Sequence, residues 1–434
     1  MRKEESAIPG VDFIISSLII GGGIMFRRRL VYSFLTVVSV LFLSTSAFGA
    51  GFALYEGSAR GNVLGAGLVA SADDPSAVFY NPAGITQLKG KQVMVGLTAI
   101  TPMVTIETPG PVESDFTRNW FFPPHAYYTQ QYNENIWFGM GLFSRFGLGT
   151  EFNSNWPGRY NSYYAEIQTV ELNPNIAYKF NDKLSVAFGL NMTYLTLDLK
   201  KKLAPAVGSP EFELDGDSWG WGLNAAVQYK PTDWMQLGLT YRSRISQNVQ
   251  GEVKVTPQVP AAGLRNMPAT GDLSLPDMIF AGVNFNVRKD LTIGGGIYWT
   301  RWETYNQLQI NFGAPFGPTQ VRTQATPKNW DNVYRFMIGS EWKVNENWDL
   351  RIGYAYDQCP IPDSTVDYIL PDNDRNMFSL GAGYHKNNWA LDFSYTLMII
   401  GTRDYVARPS QGILTSTMKD GTAHLLGFSY TYKF

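Results

Sequence analysis

The sequence predicts an all-β protein, an antiparallel transmembrane β-barrel of about fourteen strands plugged by a small N-terminal helical hatch. Three observations carry this. From Lys91 onward large apolar side chains alternate with small or polar ones at period two. Aromatic residues make up 14% of the chain, including 24 Tyr and 12 Trp, against 17% charged residues. An export signal precedes the first candidate strand. Tyr and Trp in such excess suit the interfacial girdles of a membrane barrel. A mean hydropathy of −0.15 is as low as a soluble protein's because only every second residue faces lipid.

The signal lies within residues 25–49. Arg27, Arg28 and Arg29 form its charged start, Leu30 to Leu43 its apolar core, and Ala47 and Gly49 the small residues of a cleavage site. Cleavage after Gly49 begins the mature chain at Ala50-Gly51-Phe52. Residues 1–24 precede Met25, which already opens a complete signal, so they read as a mis-assigned start or extension. The apolar core is short of the ~18–20 residues that a membrane helix needs.

Residues 50–90 are rich in Gly, Ala and Ser, and their two proline signals predict short helices. Asp74 is placed to cap a helix whose first position is Pro75, because proline there loses no needed donor. Asn81-Pro82 repeats the device, ending one helix and starting another.

Residues 91–434 supply the barrel. In 184–194, Leu184, Val186, Phe188, Leu190, Met192 and Tyr194 share one face; Ser185, Ala187, Gly189, Asn191 and Thr193 share the other. The same holds for Trp348 to Asp357, Trp389 to Leu397 and Leu426 to Phe434. Lipid demands closure, since an open edge in hydrocarbon leaves backbone groups unpaired. Short polar turns such as Asn181-Asp182 and Asn345-Glu346-Asn347 mark one side, and 151–163, 201–216, 251–271, 311–328 and 402–420 are expected as longer outer loops. One strand is irregular: alternation from Asn135 breaks at Phe143-Ser144-Arg145-Phe146-Gly147, where Gly147 and Gly149 permit a bulge.

Little in the chain speaks for catalysis. The formal net charge of −2 has no basic excess and gives no reason to expect nucleic acid. The single cysteine, Cys359, is expected as a free buried thiol. His125, His385 and His424 are scattered, without metal-ligand spacing or a nucleophile motif, so no metal, cofactor or enzyme activity is expected. A barrel hydrolase would need a Ser–His pair within hydrogen-bond reach.

The mature N-terminus, AGFALYE followed by SARGNVLGAGLVASADDPSAVFYNPAGIT, resembles the hatch of the FadL/TodX family, outer-membrane channels for long-chain fatty acids and other hydrophobic molecules. SRFGLGTEF at 144–152, DQCPIPDSTVDYILPDNDR at 357–375 and the terminal Phe434 extend the resemblance over nearly all of the mature chain. It implies a monomer in the bacterial outer membrane, surrounded by outer-membrane lipid and recognised by the barrel assembly machinery through Phe434. It implies passive uptake, with a hydrophobic pocket at Ala50, Gly51, Phe52 and Leu54, and substrate transfer at Asn81, Pro82 and Ala83. Lateral release would pass through a wall opening at Phe143, Ser144, Arg145, Phe146 and Gly147. A shallow outer groove for first capture is expected at Phe152, Trp156, Tyr160 and Leu203.

The family's fatty-acid members hold the carboxylate with basic lumen side chains. Here Thr196 and Asp198 stand where such a group is expected, leaving Lys200, Arg242, Arg244, Arg335 and Arg351. The expected ligand is a long-chain fatty acid or, alternatively, an aromatic or alkane hydrocarbon; a polar-solute porin is the remaining reading.

Overall fold

In the computed structural model, which describes residues 51–110, 112–117 and 120–434, the alternating segments close into a ring of 14 antiparallel strands. The signal segment and Ala50 lie outside the described residues. The strands are β1 (Lys91–Thr108), β2 (Pro124–Gln131), β3 (Ile136–Phe143, resuming at Gly147–Glu151), β4 (Tyr164–Lys179), β5 (Leu184–Lys202) and β6 (Glu211–Thr232). Then come β7 (Met235–Arg242 and Ile245–Thr256), β8 (Met267–Leu275 and Met278–Arg288), β9 (Leu291–Thr300 and Gln307–Phe316) and β10 (Val321–Pro327 and Val333–Lys343). The ring is completed by β11 (Trp348–Asp357), β12 (Arg375–Lys386), β13 (Trp389–Ile400) and β14 (Ser416–Lys433). β14 pairs with β1 from Lys433↔Gln92 to Thr417↔Glu107, which closes the ring.

The alternation sorts the two faces as read from the sequence. Phe188, Leu190, Leu350, Ile352, Phe393 and Leu426 are exposed on the outside, while Ala187, Asp349, Arg351 and Ser394 are buried inside. Bulky apolar side chains exposed all round a closed ring make a lipid-facing surface.

The strands are longer than the expected ten or so residues: β5 has 19 and β6 has 22. Segments expected as loops at 201–216, 251–271 and 311–328 are at least half strand, leaving 203–210, 257–266 and 317–320 as connections. The reason is a change of face. Along β5 the large residues point outward as far as Tyr194; beyond it Leu195, Leu197 and Leu199 turn to the lumen, while Thr196, Asp198 and Lys200 face out. On β6 the inward Phe212 and Leu214 alternate with Glu211, Glu213 and Asp215, and Trp219 and Trp221 follow on the outer face. Tyr194 and Trp219 pack against each other at the change, with ring centroids 5.1 Å apart. Above it the outward charges pair across strands, Lys202 with Glu211 at 3.0 Å and Lys254 with Asp215 at 2.7 Å. The walls thus rise past the membrane as sheet with a water-compatible outside. Inside, Phe212, Val253, Leu264, Phe312 and Phe316 form a second apolar core.

The N-terminal segment forms α1 (Ala59–Leu64), α2 (Ala66–Ser71), α3 (Ala77–Tyr80) and a 3-10 turn, Pro82–Gln87. Ser58 caps α1 by accepting the Gly61 N–H at 3.0 Å. Asn81 ends α3 and caps the 3-10 turn, its side-chain oxygen accepting the Ala83 N–H at 3.1 Å. The start of α3 differs from expectation, because Ser76 and not Asp74 is the capping position. The Asp74 carboxylate accepts the Ser76 N–H and hydroxyl at 2.9 and 2.5 Å, spending its acceptors one turn early.

α1 and α2 lie backbone-to-wall. A Cβ on Gly353 would stand 1.9 Å from the Val63 carbonyl oxygen, and one on Gly282 would stand 2.0 Å from that of Ala66. Small residues on both partners allow this approach.

Candidate functional site

The site grows from the break in β3. Phe143 pairs with Glu171 and Gly147 with Gln168, so four steps along β3 answer three along β4, and one residue is extra. The pairing of β2 with β3 runs from Gln131↔Trp137 to Ala126↔Leu142, leaving the Gly147–Glu151 half without β2 as a partner. The N-terminal stretch takes that edge. The Leu54 N–H donates to the Arg145 carbonyl at 2.7 Å, and the Gly147 N–H donates to the Phe52 carbonyl at 2.9 Å. Sequence reading placed Gly51, Phe52 and Leu54 in one element and Arg145, Phe146 and Gly147 in another; the fold joins them.

The extra residue turns Arg145 inward. Its guanidinium donates to Glu171 at 2.8 and 2.5 Å, Thr193 donates to the same carboxylate at 2.9 Å, and Arg242 lies 3.5 Å from it. The charge at the break is therefore buried and neutralised. Ser144 donates to the Thr169 carbonyl at 2.6 Å, which holds the break in shape.

Two cavities, which share Ile167 and Leu370 in their walls, flank the stretch around Phe52, whose ring borders the first. The ring sits 4.6 Å from Trp302, 5.6 Å from Trp330 and 6.0 Å from Tyr305, centroid to centroid. On its membrane-exterior side is a narrow apolar cavity bounded by Leu197, Leu199, Leu273, Ile310 and Ile369. On the other side a cavity of about 310 Å³ extends past Leu54 to Ser144, Gly147 and Gly149, with Phe121 and Phe122 across from them.

The cations in these cavities have partners. Lys328 pairs with Asp367, Arg335 with Asp357 at 3.5 Å and Glu56 at 3.9 Å, and Arg375 with Asp372 at 2.9 Å. Asp372 also accepts the Gly51 N–H at 3.2 Å, and Arg375 donates to the Gly51 carbonyl at 2.8 Å. In the same loop, burial pushes the Asp374 carboxyl up to about 7, with Asp372 and Asp357 adding repulsion against the Tyr356 hydrogen bond. Burial likewise holds the free Cys359 thiol protonated.

Below Phe52 the segment is tied to the wall. Arg242 donates to the Val78 and Phe79 carbonyls at 2.9 and 2.8 Å, and Arg60 grips Glu341 at 2.8 and 2.9 Å. Gln228 reaches Ala70 and Ser71, and Trp137 reaches Leu88. Asn81 donates to the Val69 and Val227 carbonyls at 2.8 and 3.0 Å. Asn81, Pro82 and Ala83 are buried here, away from both cavities.

Of the residues expected in an outer groove, Tyr160 borders a cleft with Leu199, Phe212 and Leu308. Phe152 and Trp156 are instead buried, stacked at 4.0 Å, with Trp156 edge-on to Tyr368. Leu203 packs on the second apolar core. Among the basic residues considered, Lys200 lies 3.5 and 3.6 Å from Asp198 and Glu213 on the outer face, and Arg351 pairs with Glu341 and Asp392, both at 2.6 Å. Thr196 and Asp198 also face out, so the lumen positions of that stretch are the leucines between them. The reversal of alternation at Tyr194 is the signal that would have revealed this.

A Ser–His pair exists. His125 Nε2 lies 2.9 Å from Ser429 Oγ, which also accepts the Ala59 N–H at 3.0 Å. Ser429 is 0% exposed, beneath α1. The pair ties the segment to the wall.

A closed, lipid-facing barrel with a helical segment lodged against its inner wall and apolar cavities leading to a break in one strand defines a class, the hydrophobic-lumen proteins of the bacterial outer membrane. A family model described as outer membrane protein transport protein (OMPP1/FadL/TodX) matches residues 40–434, and the chain belongs to that family. It is 27% identical to a long-chain fatty acid transport protein of Salmonella typhi, over 92% of this chain and 97% of that one. It is 24% identical to outer membrane protein P1 of Haemophilus influenzae, over 84% and 89%. The fold is shared with a Pseudomonas aeruginosa FadL homologue, at a TM-score of 0.76 and 20% identity over 90% and 100% of the two chains. The Pseudomonas putida toluene transporter TodX has a TM-score of 0.66 and 16% identity over 89% and 96%.

Proposed function

We propose that this protein carries long-chain fatty acids or similar hydrophobic molecules passively across the outer membrane, releasing them sideways through the break in β3. It acts as a monomer in outer-membrane lipid and is a channel, not an enzyme; the exposed Phe434 is the contact for barrel assembly. The observation that carries the reading is the asymmetry of the segment 51–90. Residues 57–88 are hydrogen-bonded to the wall at many points, whereas at Arg145–Gly147 the β3 edge is met by the Phe52–Leu54 stretch through two backbone bonds. Movement of that stretch would join the two cavities to the edge, and an apolar molecule gains more by leaving into lipid than into water. Asn81, Pro82 and Ala83 would serve this by fixing the lower hatch.

A second reading, import of an aromatic or alkane hydrocarbon, is favoured by one observation: Lys328, Arg335 and Arg375 already have carboxylate partners. The apolar lining on both sides of Phe52 argues against a polar-solute porin.

Uptake of radiolabelled oleate and of toluene, in cells lacking their own transporters, tests these readings with wild type beside Ser144→Trp. Oleate entry that the bulky residue blocks supports the first, and toluene entry alone moves the substrate to hydrocarbon. Equal uptake by wild type and Ser144→Trp overturns lateral release. Neither compound entering faster than in empty cells overturns the function.

A further inference from the structure

Lys201 differs from its neighbours on β5. Its neighbours Lys200 and Lys202 face outward and pair with Asp198, Glu213 and Glu211. Lys201 follows Leu195, Leu197 and Leu199 on the inward face, directly across from Phe212. Among the described residues no carboxylate pairs with it; its ammonium lies 5.4 Å from the centre of the Phe212 ring. It is partly buried, seven residues beyond Tyr194 and so roughly 23 Å along the strand from the aromatic belt.

The cleft that Lys201 borders has a floor of Leu199, Leu308, Ile310 and Ile369. All four also line the narrow cavity above Phe52, so the cleft is its outer end. Asn161, Ser162, Gln324 and Thr326 line its sides, and the carboxylate in it, Asp367, is already held by Lys328. An apolar floor bordered by a cation that no carboxylate pairs with, among the described residues, is complementary to one kind of molecule, a monoanion with a long apolar tail. Deeper in, the cations are already matched. Headgroup charge is therefore distinguished at the rim and not in the interior.

We infer that Lys201 is a specificity-determining residue of the outer cleft, where it contacts the carboxylate of an incoming long-chain acid while the tail lies on the leucine and isoleucine floor. This rests on the transport reading above. The ammonium keeps its stem on Phe212 and loses no protein partner when it engages a ligand, so the contact costs no existing ion pair.

The experiment compares initial uptake of oleate with that of methyl oleate, which has the same tail and no charge, at concentrations below saturation. Lys201→Met keeps the stem length and orphans no partner; Lys201→Arg keeps the charge. Correct folding is checked by heat-modifiable migration on gels. The oleate-to-methyl-oleate ratio should fall about five-fold in Lys201→Met, the order of a partly exposed ion pair, and return toward wild type in Lys201→Arg. An unchanged ratio in folded Lys201→Met overturns the assignment, as does an equal fall for both compounds. If wild type imports neither compound, the transport reading itself fails and this inference falls with it.

Discussion

Alanine at Gly353 would set a methyl carbon 1.9 Å from the Val63 carbonyl oxygen, whereas ordinary contact begins at 3.4 Å. Both the wall and α1 present backbone there, so α1 must retreat by about 1.5 Å. At present α1 is held by the Ala59 N–H on Ser429 at 3.0 Å and by the Arg60 fork on Glu341 at 2.8 and 2.9 Å. A retreat of that size carries these groups beyond hydrogen-bond reach. One neutral bond at about 1 kcal/mol and one charge-assisted contact at about 2 kcal/mol put the cost near 3 kcal/mol, the upper part of the range for overpacking. The cost falls on α1, because β10, β11 and β12 keep their ladder. At about 1.4 kcal/mol per factor of ten, amide protection of residues 59–71 should fall about 100-fold with the strands unaffected. Hydrogen exchange of the detergent-solubilised protein reads both regions, and Ile352→Ala, which trims a lipid-facing side chain next door, is the control. A Gly353→Ala protein with wild-type exchange in 59–71 would refute the close-fit argument. Equal loss of protection in β10–β12 would refute its assignment to the helix.

Two further outcomes follow from the same contacts. Arg242→Ala removes the two donors to the Val78 and Phe79 carbonyls, charge-assisted bonds of about 1.5–3 kcal/mol each. It should loosen α3 and raise single-channel conductance in planar bilayers; conductance at the wild-type level would show that α3 does not depend on Arg242. The Asp374 carboxyl, raised from 3.8 to about 7, binds its proton more tightly in the folded loop than in the unfolded chain. Its stabilising contribution is complete below the ordinary carboxylate value and is lost as pH rises from about 4 to about 7. Exchange of residues 358–374, corrected for the intrinsic pH dependence of amides, should therefore quicken between about pH 4 and about pH 7. Asp374→Asn should flatten that dependence, and a wild-type profile already flat would overturn the assignment.

The barrel was legible because lipid imposes a strict rule on every residue it touches. Ile352 and Phe188 face hydrocarbon and must be apolar, while Arg351 and Ala187 do not, so period two is written plainly into the chain. Above the membrane the rule lapses. Thr196 and Asp198 look like lumen positions only if the membrane's rule of apolar outside and polar inside is carried past Tyr194. The outer strands were hidden for the same reason, since Lys200, Lys202, Glu211 and Glu213 resemble loop composition until their pairing across the ladder is seen. The break in β3 was visible as failed alternation at Phe143 to Gly147. Its occupant was not, because the Phe52–Leu54 stretch reaches it from about ninety residues away along the chain.

By itself the sequence determined the class, the membrane-facing surface, the presence of short helices ahead of the first strand and the place where one strand is interrupted. Each follows from local composition or periodicity, which solvent and lipid read residue by residue. Tertiary structure alone decided which charges are spent and which are free. Arg145, Arg242, Arg335, Arg351 and Lys328 are matched by carboxylates from other strands or loops, and Lys201 is not. Pairing depends on distances across a closed ring, where neighbours in space are separated by dozens of residues in the chain, and no local pattern records it.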